Sequence, residues 1–298
     1  MKKFAAIAVA TLLAAAPASA KDLDLSDPND ALKAQQKITC SLTDGKTIVW
    51  TWAGKMYSRV PGEKDRHVFN VEGMNIRQCK SFNDPKRGHG FRSVSREIML
   101  YLDPETNAVL RTWKNPWTNE TVDVLHVAND PVNMRAPMYA IREDGSAYKS
   151  DLREQHGYYL SAGATPLFYD NPLQGKYQDY VGGKYHAMEM GGDFIKKAEL
   201  LDGETTEVKD ALLTWGRISG WLPWMKMGDR PGLVVFVTTG MKLFDVNDLS
   251  PTLRAEIEKN YPLYKNPPPL EDSRPNETSW TVFRDHMEGV KKQPVGSN

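Results

Sequence analysis

From Lys37 to Phe244 the chain repeats one pattern, a strand-like run closed by turn residues, and this restricts it to a mainly antiparallel β fold. "KITCSLT" and "TIVWTWAGKMYSRV" flank Asp44-Gly45, a hairpin signal, and "HVFNVEGMNI" follows the Pro61-Gly62 break. "REIMLYL" and "AVLRTW" flank "DPETN", and "TVDVLHVAN" comes after "KNPWTNE", which together read as a meander. Later runs are "YHAMEM", "ALLTWGRISGW" and "GLVVFVTTGMKLF". The sum is roughly nine or ten strands, too regularly spaced for two unrelated domains. Polar stretches 78–94 and 141–184 are expected to be loops across one end. The expected architecture is all-β, a barrel or strongly curved sheet, lipocalin-like by analogy.

Helix signals are few. Asp27-Pro28-Asn29-Asp30 supplies a cap, a proline at the first helical position and an early acid before "ALKAQQ", which predicts a short leading helix. Ser250 to Tyr261 predicts a second, with Ser250 as cap, Pro251 at the first position and Leu253, Ile257 and Tyr261 along one face. Such a late helix is suited to covering a sheet.

The first twenty residues read as a secretory leader: Lys2 and Lys3, an apolar run from Phe4 to Ala16, and small residues at Ala18-Ser19-Ala20. The apolar run is shorter than the roughly 20 residues a membrane-spanning helix needs, and no later segment is apolar enough. The expected organisation is a leader over 1–20, a single β-rich domain over 21–298, and a periplasmic or secreted destination. The chain holds 38 basic and 38 acidic residues, so loss of the two lysines leaves two acids in excess. Near-neutral charge gives no reason to expect a nucleic acid or an anionic membrane as partner. Cys40 and Cys79 are the only cysteines. An oxidising compartment would allow them to pair, and two buried thiols in separate strands fit the sequence as well.

Strand alternation sorts residues by face. In "LLTWGRISGW" the residues Leu213, Trp215, Arg217, Ser219 and Trp221 share one, which sets a guanidinium between two indoles. Arg217 stays protonated, so on such a face it must pair with a carboxylate, stack on rings or meet an anion. Glu72, Glu97 and Glu189 are candidate internal partners. The alternative is an anchor for a ligand oxygen, with Trp215, Trp221, Trp224, Met225 and Met227 as apolar walls. Asn129, Asp130, Asn133 and Arg135 crowd a strand end, as turn chemistry or as the rim of a ligand site. Gly73 within a strand marks a bulge or a close approach that would re-aim Glu72 and Asn75. His126 shares a face with Val122, Val124 and Ala128, the pattern of a core histidine or of a base in a cavity.

No nucleophile elbow, zinc motif, C-x-x-C or phosphate loop is present in the sequence. "GHGFRS" lacks the third glycine of a dinucleotide loop, and His186 and Glu189 fall on opposite faces of a strand, so neither a cofactor nor a metal is expected. Acid–base candidates are His126, Glu72, Glu97 and Asp130.

"FNVEGMN", "SREIMLYLDPETNAVLRTWKNPWTNETVDVLHVANDPVN" and "TWGRISGWLPWMKMGDRPG" resemble the bacterial proteins grouped as domain of unknown function 1838. The likeness runs from about Ile38 to Pro268. It implies one continuous, often exported domain, and it brings no activity or cofactor to carry onto these residues. Three functions fit: a holder of an apolar or aromatic small molecule anchored by Arg217, a cofactor-free isomerase, lyase or hydrolase on the same scaffold, and an envelope interaction protein with a filled core.

Overall fold

The computed structural model describes residues 21–169, 173, 175–177, 180 and 185–295; the leader expected over 1–20 lies outside them. The strands are β1 (Ile48–Arg59), β2 (Arg66–Asp84), β3 (Gly88–Leu102), β4 (Thr112–Lys114), β5 (Thr121–Asp123), β6 (Val127–Asn129), β7 (Met138–Tyr139), β8 (Arg153–Gln155), β9 (Tyr158–Leu160), β10 (Gly163–Tyr169), β11 (Tyr185–Lys196), β12 (Leu212–Ser219) and β13 (Leu233–Leu243). Eleven of them form one antiparallel sheet in the order β6-β3-β2-β1-β13-β12-β11-β9-β8, with β10 beside β11 and β7 beside β3. Strands β4 and β5 make a separate hairpin. The sheet is open among the described residues: its order ends at β6 and β8, so the ladder does not close into a barrel.

The sheet is nevertheless strongly curled. Glu97 of β3 and Glu189 of β11 stand five ladder steps apart, roughly 24 Å on a flat sheet. Both line one cavity of about 270 Å³, which a flat sheet could not arrange. Gly240 marks one bend: a Cβ there would lie 1.9 Å from the Thr51 carbonyl oxygen, so only glycine admits that approach of β13 to β1.

The inner face carries Met56, Phe69, Val71, Met99, Tyr101 and Phe236 in one apolar cluster, and Trp50, Phe91 and Ile195 in a second. The outer face carries Val49, Met74, Ile76, Ile98 and Leu100. Four helices flank the sheet: α1 (Pro28–Thr39), α2 (Lys197–Leu201), α3 (Pro251–Asn260) and α4 (Ser279–Met287). Helix α1 begins as its sequence predicts, with the Asp27 side chain accepting from the amides of Asn29 and Asp30. Its Leu32 and Ile38 pack on the inner face with Phe91 and Trp50. Lys242 of β13 donates to the carbonyls of Lys37, Ile38 and Cys40, which occupies the acceptors at the end of α1. Helix α3 is capped by Ser250 and buries Leu253 and Ile257, with Tyr261 after them, against the outer face.

Three local expectations are corrected. "KITCSLT" is no strand: it completes α1 and runs into the Cys40 cap, because the Asp27-Pro28 start propagates as far as Thr39. Residues 78–94 are not a loop but the two arms of the β2–β3 hairpin, turned where Asp84 accepts from the amides of Lys86 and Arg87. "TVDVLHVAN" is not one strand: β5 pairs with β4, β6 pairs with β3, and the chain between them is irregular. Cys40 and Cys79 form a disulfide that ties the end of α1 to β2.

Candidate functional site

Two cavities, of about 530 and 270 Å³, open on the inner face and share Trp52, Glu97 and Trp215 as walls. Ladder register explains the grouping. Asn129, Glu97, Asn75 and Trp50 lie across β6, β3, β2 and β1 in one row. Met99, Gly73, Trp52, Gly240, Leu213 and Asp193 form the next, so all point to the same side. Gly73 is required where it stands, since a Cβ would meet the Trp52 ring at 2.9 Å. The glycine therefore makes a close approach, and Asn75 faces inward while Glu72 lies on the outer face.

The larger cavity is roofed by Gln35, Ile38 and Thr39 of α1 and by Ser161 to Gly163. Arg77 lies in its wall. Its Nε donates to Asn75 Oδ1 at 2.9 Å, and among the described residues it forms no ion pair with a carboxylate. Burial pushes Arg77 down to about 10, opposed by the charges of Glu97 and Asp193, so the guanidinium is cationic at neutral pH. Burial also drives Glu97 upward against the Asn129 hydrogen bond of 2.7 Å, and drives Asp193 upward against its bond from Ser161 at 3.1 Å. One cation and two carboxyls biased toward the neutral acid thus face the same space.

The smaller cavity is closed by the start of α4, where Trp280 stacks edge-on against Tyr185 with centroids 4.6 Å apart. Arg217 lines it, but not as a free cation. Nη1 donates to Glu189 Oε1 at 3.0 Å and Nη2 to the Tyr185 hydroxyl at 2.5 Å. Burial works against the charge, and Tyr185 and Glu189 outweigh it, holding Arg217 above the ordinary arginine value. Its Nε is buried without a partner, as are Trp52 Nε1 and Asn129 Oδ1.

A family model described as protein of unknown function (DUF1838) matches residues 45–287. The chain belongs to that family. Among curated proteins nothing matches this DUF1838 chain. Two solved structures of Ail, the attachment invasion locus protein of Yersinia pestis, one of them in complex with the heparin analogue sucrose octasulfate, resemble it at 8% identity. They cover 67% of this chain and 100% of theirs, each at a TM-score of 0.14, too low to carry an argument.

The residues singled out from sequence separate cleanly in the DUF1838 fold. Arg217, Trp215, Asn129, Asn75 and Glu97 meet at the two cavities. Trp221 and Trp224 do not, because β12 ends at Ser219 and strand parity ends with it. Trp221 donates to the Arg230 carbonyl, and Trp224 is buried with Met225 and Met227 among Phe69, Tyr101 and Trp113. Asn133 is spent inside the fold, accepting from the Ser95 amide and donating to the Asp272 carbonyl. His126 is a core histidine: Nδ1 accepts from the Tyr101 amide, and burial, aided by the charge of Arg111, pushes it down to about 3. Asp130 is held by Arg96 at 3.1 Å and Arg274 at 3.0 Å. Of the four acid–base candidates, only Glu97 borders a cavity on the inner face.

Arg77, Asp193 and Trp52 are the residues that sequence reasoning missed. Arg77 shares parity with Asn75, and extending the strand past Ile76 would have found it. No helix among the described residues is long and apolar enough to cross a membrane, and no cluster of metal-ligating side chains is present among them.

The raised Glu97 gives a test. Its folded pKa stands above the ordinary 4.5, so above that pH the unfolded chain has released a proton that the folded chain still holds. Stability therefore falls as pH rises from there through the folded value, by at most about 1.4 kcal/mol per pH unit for one proton. Glu97→Gln is expected to raise the melting midpoint at neutral pH and to lose that gain toward pH 4. Melting curves of both proteins across that range decide it; a gain equal at both ends would refute the assignment.

Proposed function

We propose that the protein is exported and holds a small organic molecule with an apolar, aromatic body on the inner face of its curled sheet. The observation that carries this reading is the pair of adjoining cavities walled by Trp52, Trp215 and Glu97. Ligand sites are concave, mostly apolar and furnished with a few convergent polar groups, and here Asn75, Arg77, Asn129 and Arg217 supply those groups. The likeness is to lipocalin-like folds, which keep a ligand within a curved sheet; in this chain α1 and α4 would complete an enclosure that the open ladder leaves unfinished. Export to the periplasm or beyond is supported by the leader pattern and by a disulfide, which suits an oxidising compartment.

A second reading is favoured by one observation. Glu97 and Asp193 line the same cavity, and burial drives both upward, the direction that general acid–base work near neutral pH requires of a carboxyl. On this reading the cleft would turn its ligand over without a cofactor, as an isomerase, lyase or hydrolase. An envelope protein with a filled core fits less well, since the inner face is not filled.

Native mass spectrometry of protein purified from its own compartment tests the first reading. A mass excess lost on denaturation is the expected result. A bare mass, together with unchanged tryptophan fluorescence across a library of aromatic compounds, would sink it. If a ligand is found, incubating it with wild type and with Glu97→Gln separates holding from turnover: only turnover yields a product that depends on Glu97.

A further inference from the structure

We propose that the larger cavity takes an aromatic monoanion, a carboxylate or sulfonate, with its charge seated on Arg77 and its ring against Trp50, Trp52 and Trp215. This rests on reading the cleft as a ligand site and adds the chemical class.

The two arginines of the inner face are in opposite states. Arg217 has a carboxylate at 3.0 Å and a phenol at 2.5 Å, so its charge is already met within the protein. Arg77 has a single hydrogen bond, from Nε to the neutral amide oxygen of Asn75. A guanidinium presents five donors, and the remaining four on Arg77 have no protein acceptor among the described residues. A carboxylate or sulfonate offers the paired oxygens that such a planar fork engages best.

The surroundings limit the ligand to one negative charge. Glu97, Asp193 and Asp151 border the same cavity, and among the described residues that line it Arg77 is the only cation. A dianion such as a phosphate monoester would bring a second charge that nothing there balances. A monoanion meets the cation, and burial drives Glu97 and Asp193 upward, which lessens the repulsion that they offer to one added negative charge. A cationic ligand would have to enter beside Arg77. The walls argue for an aromatic body: three indoles border the cavity, and the Trp52 and Trp215 rings lie 6.1 Å apart at a 43° tilt.

The experiment is calorimetric titration of the mature, disulfide-bonded protein with three near-isosteric probes: 2-naphthoate, neutral 2-naphthamide and cationic 2-naphthylmethylammonium. Naphthoate is expected to bind at least tenfold more tightly than either of the others. Arg77→Met is expected to remove that advantage, bringing naphthoate to the affinity of naphthamide or below it. Arg77→Lys, which keeps the charge without the planar fork, should recover part of it and guards against a fold defect in the first variant. Equal binding of naphthoate and naphthamide, tighter binding of the cation, or naphthoate binding indifferent to Arg77 would overturn the proposal while leaving the cleft as a site. Binding of none of the three would overturn the cleft reading itself, and the proposal with it.

Discussion

Replacing Cys40 and Cys79 together by alanine is expected to cost about 2–5 kcal/mol of unfolding free energy. The bridge closes a loop of 39 residues, for which chain entropy alone gives about 4 kcal/mol. Both cysteines are fully buried in the cluster that joins α1 to the inner face, so the substitution also leaves small voids. Urea unfolding of the variant, beside wild type with and without reductant, measures the loss; less than about 1 kcal/mol would mean that the core alone fixes α1. The consequence reaches the cleft. Gln35, Ile38 and Thr39, which roof the larger cavity, lie within one or two turns of Cys40. A ligand of that cavity should leave the variant faster than it leaves wild type, because the roof then has no covalent tie and is held by Lys242, by the hydrogen bonds of Gln36 and Lys37 and by apolar contacts.

What the sequence discloses about this fold is what it encodes locally. Asp27-Pro28 and Ser250-Pro251 start their helices because a cap and a proline act within one turn, and both helices lie where these signals put them. The β2–β3 hairpin was legible only near its base, in "HVFNVEGMNI" and "REIMLYL". Its far arms, residues 78–94, carry Gln78, Lys80, Asn83, His89 and Arg92 among few apolar residues, so the alternation that marks a strand is lost there. A polar run reads as a loop.

Partner choice lay beyond the sequence for a different reason. Arg217 could have met Glu72, Glu97 or Glu189, and only the ladder register, which sets it opposite Glu189, decides among them. Glu72 and Glu97 lie on β2 and β3, separated from β12 in the ladder by β1 and β13, whose pairing joins segments nearly two hundred residues apart in the case of Val49 and Leu243. The tryptophans show the converse error. Counting faces by two assigned Trp221 to the cleft, but the rule holds only inside a strand, and β12 ends at Ser219, two residues before that indole.

Asp130→Ala is expected to be the most damaging single substitution among the former catalytic candidates, and to damage stability rather than function. Arg96 and Asp130 each expose only 5% of their side chains and meet at 3.1 Å. Removing the carboxylate strands a buried guanidinium, which costs about 3–5 kcal/mol when a buried pair is broken on one side. Arg96 keeps the Leu263 carbonyl as acceptor, which offsets part of that cost without balancing its charge. Arg274 loses Asp130 as well but retains Asp272, and it is half exposed, so its share is small. The carboxylate is therefore a clamp: it joins the end of β6, through Arg96, to β3 and, through Arg274, to the chain that leads into α4. Since α4 closes the smaller cavity, a weakened clamp should loosen that cavity before the larger one, whose walls it does not touch. Hydrogen exchange on Asp130→Ala should show early opening around Ser279–Met287, with the amides of α1 protected as in wild type. Wild-type stability in this variant would mean that Arg96 finds solvent or another acceptor, and the clamp would have to be abandoned.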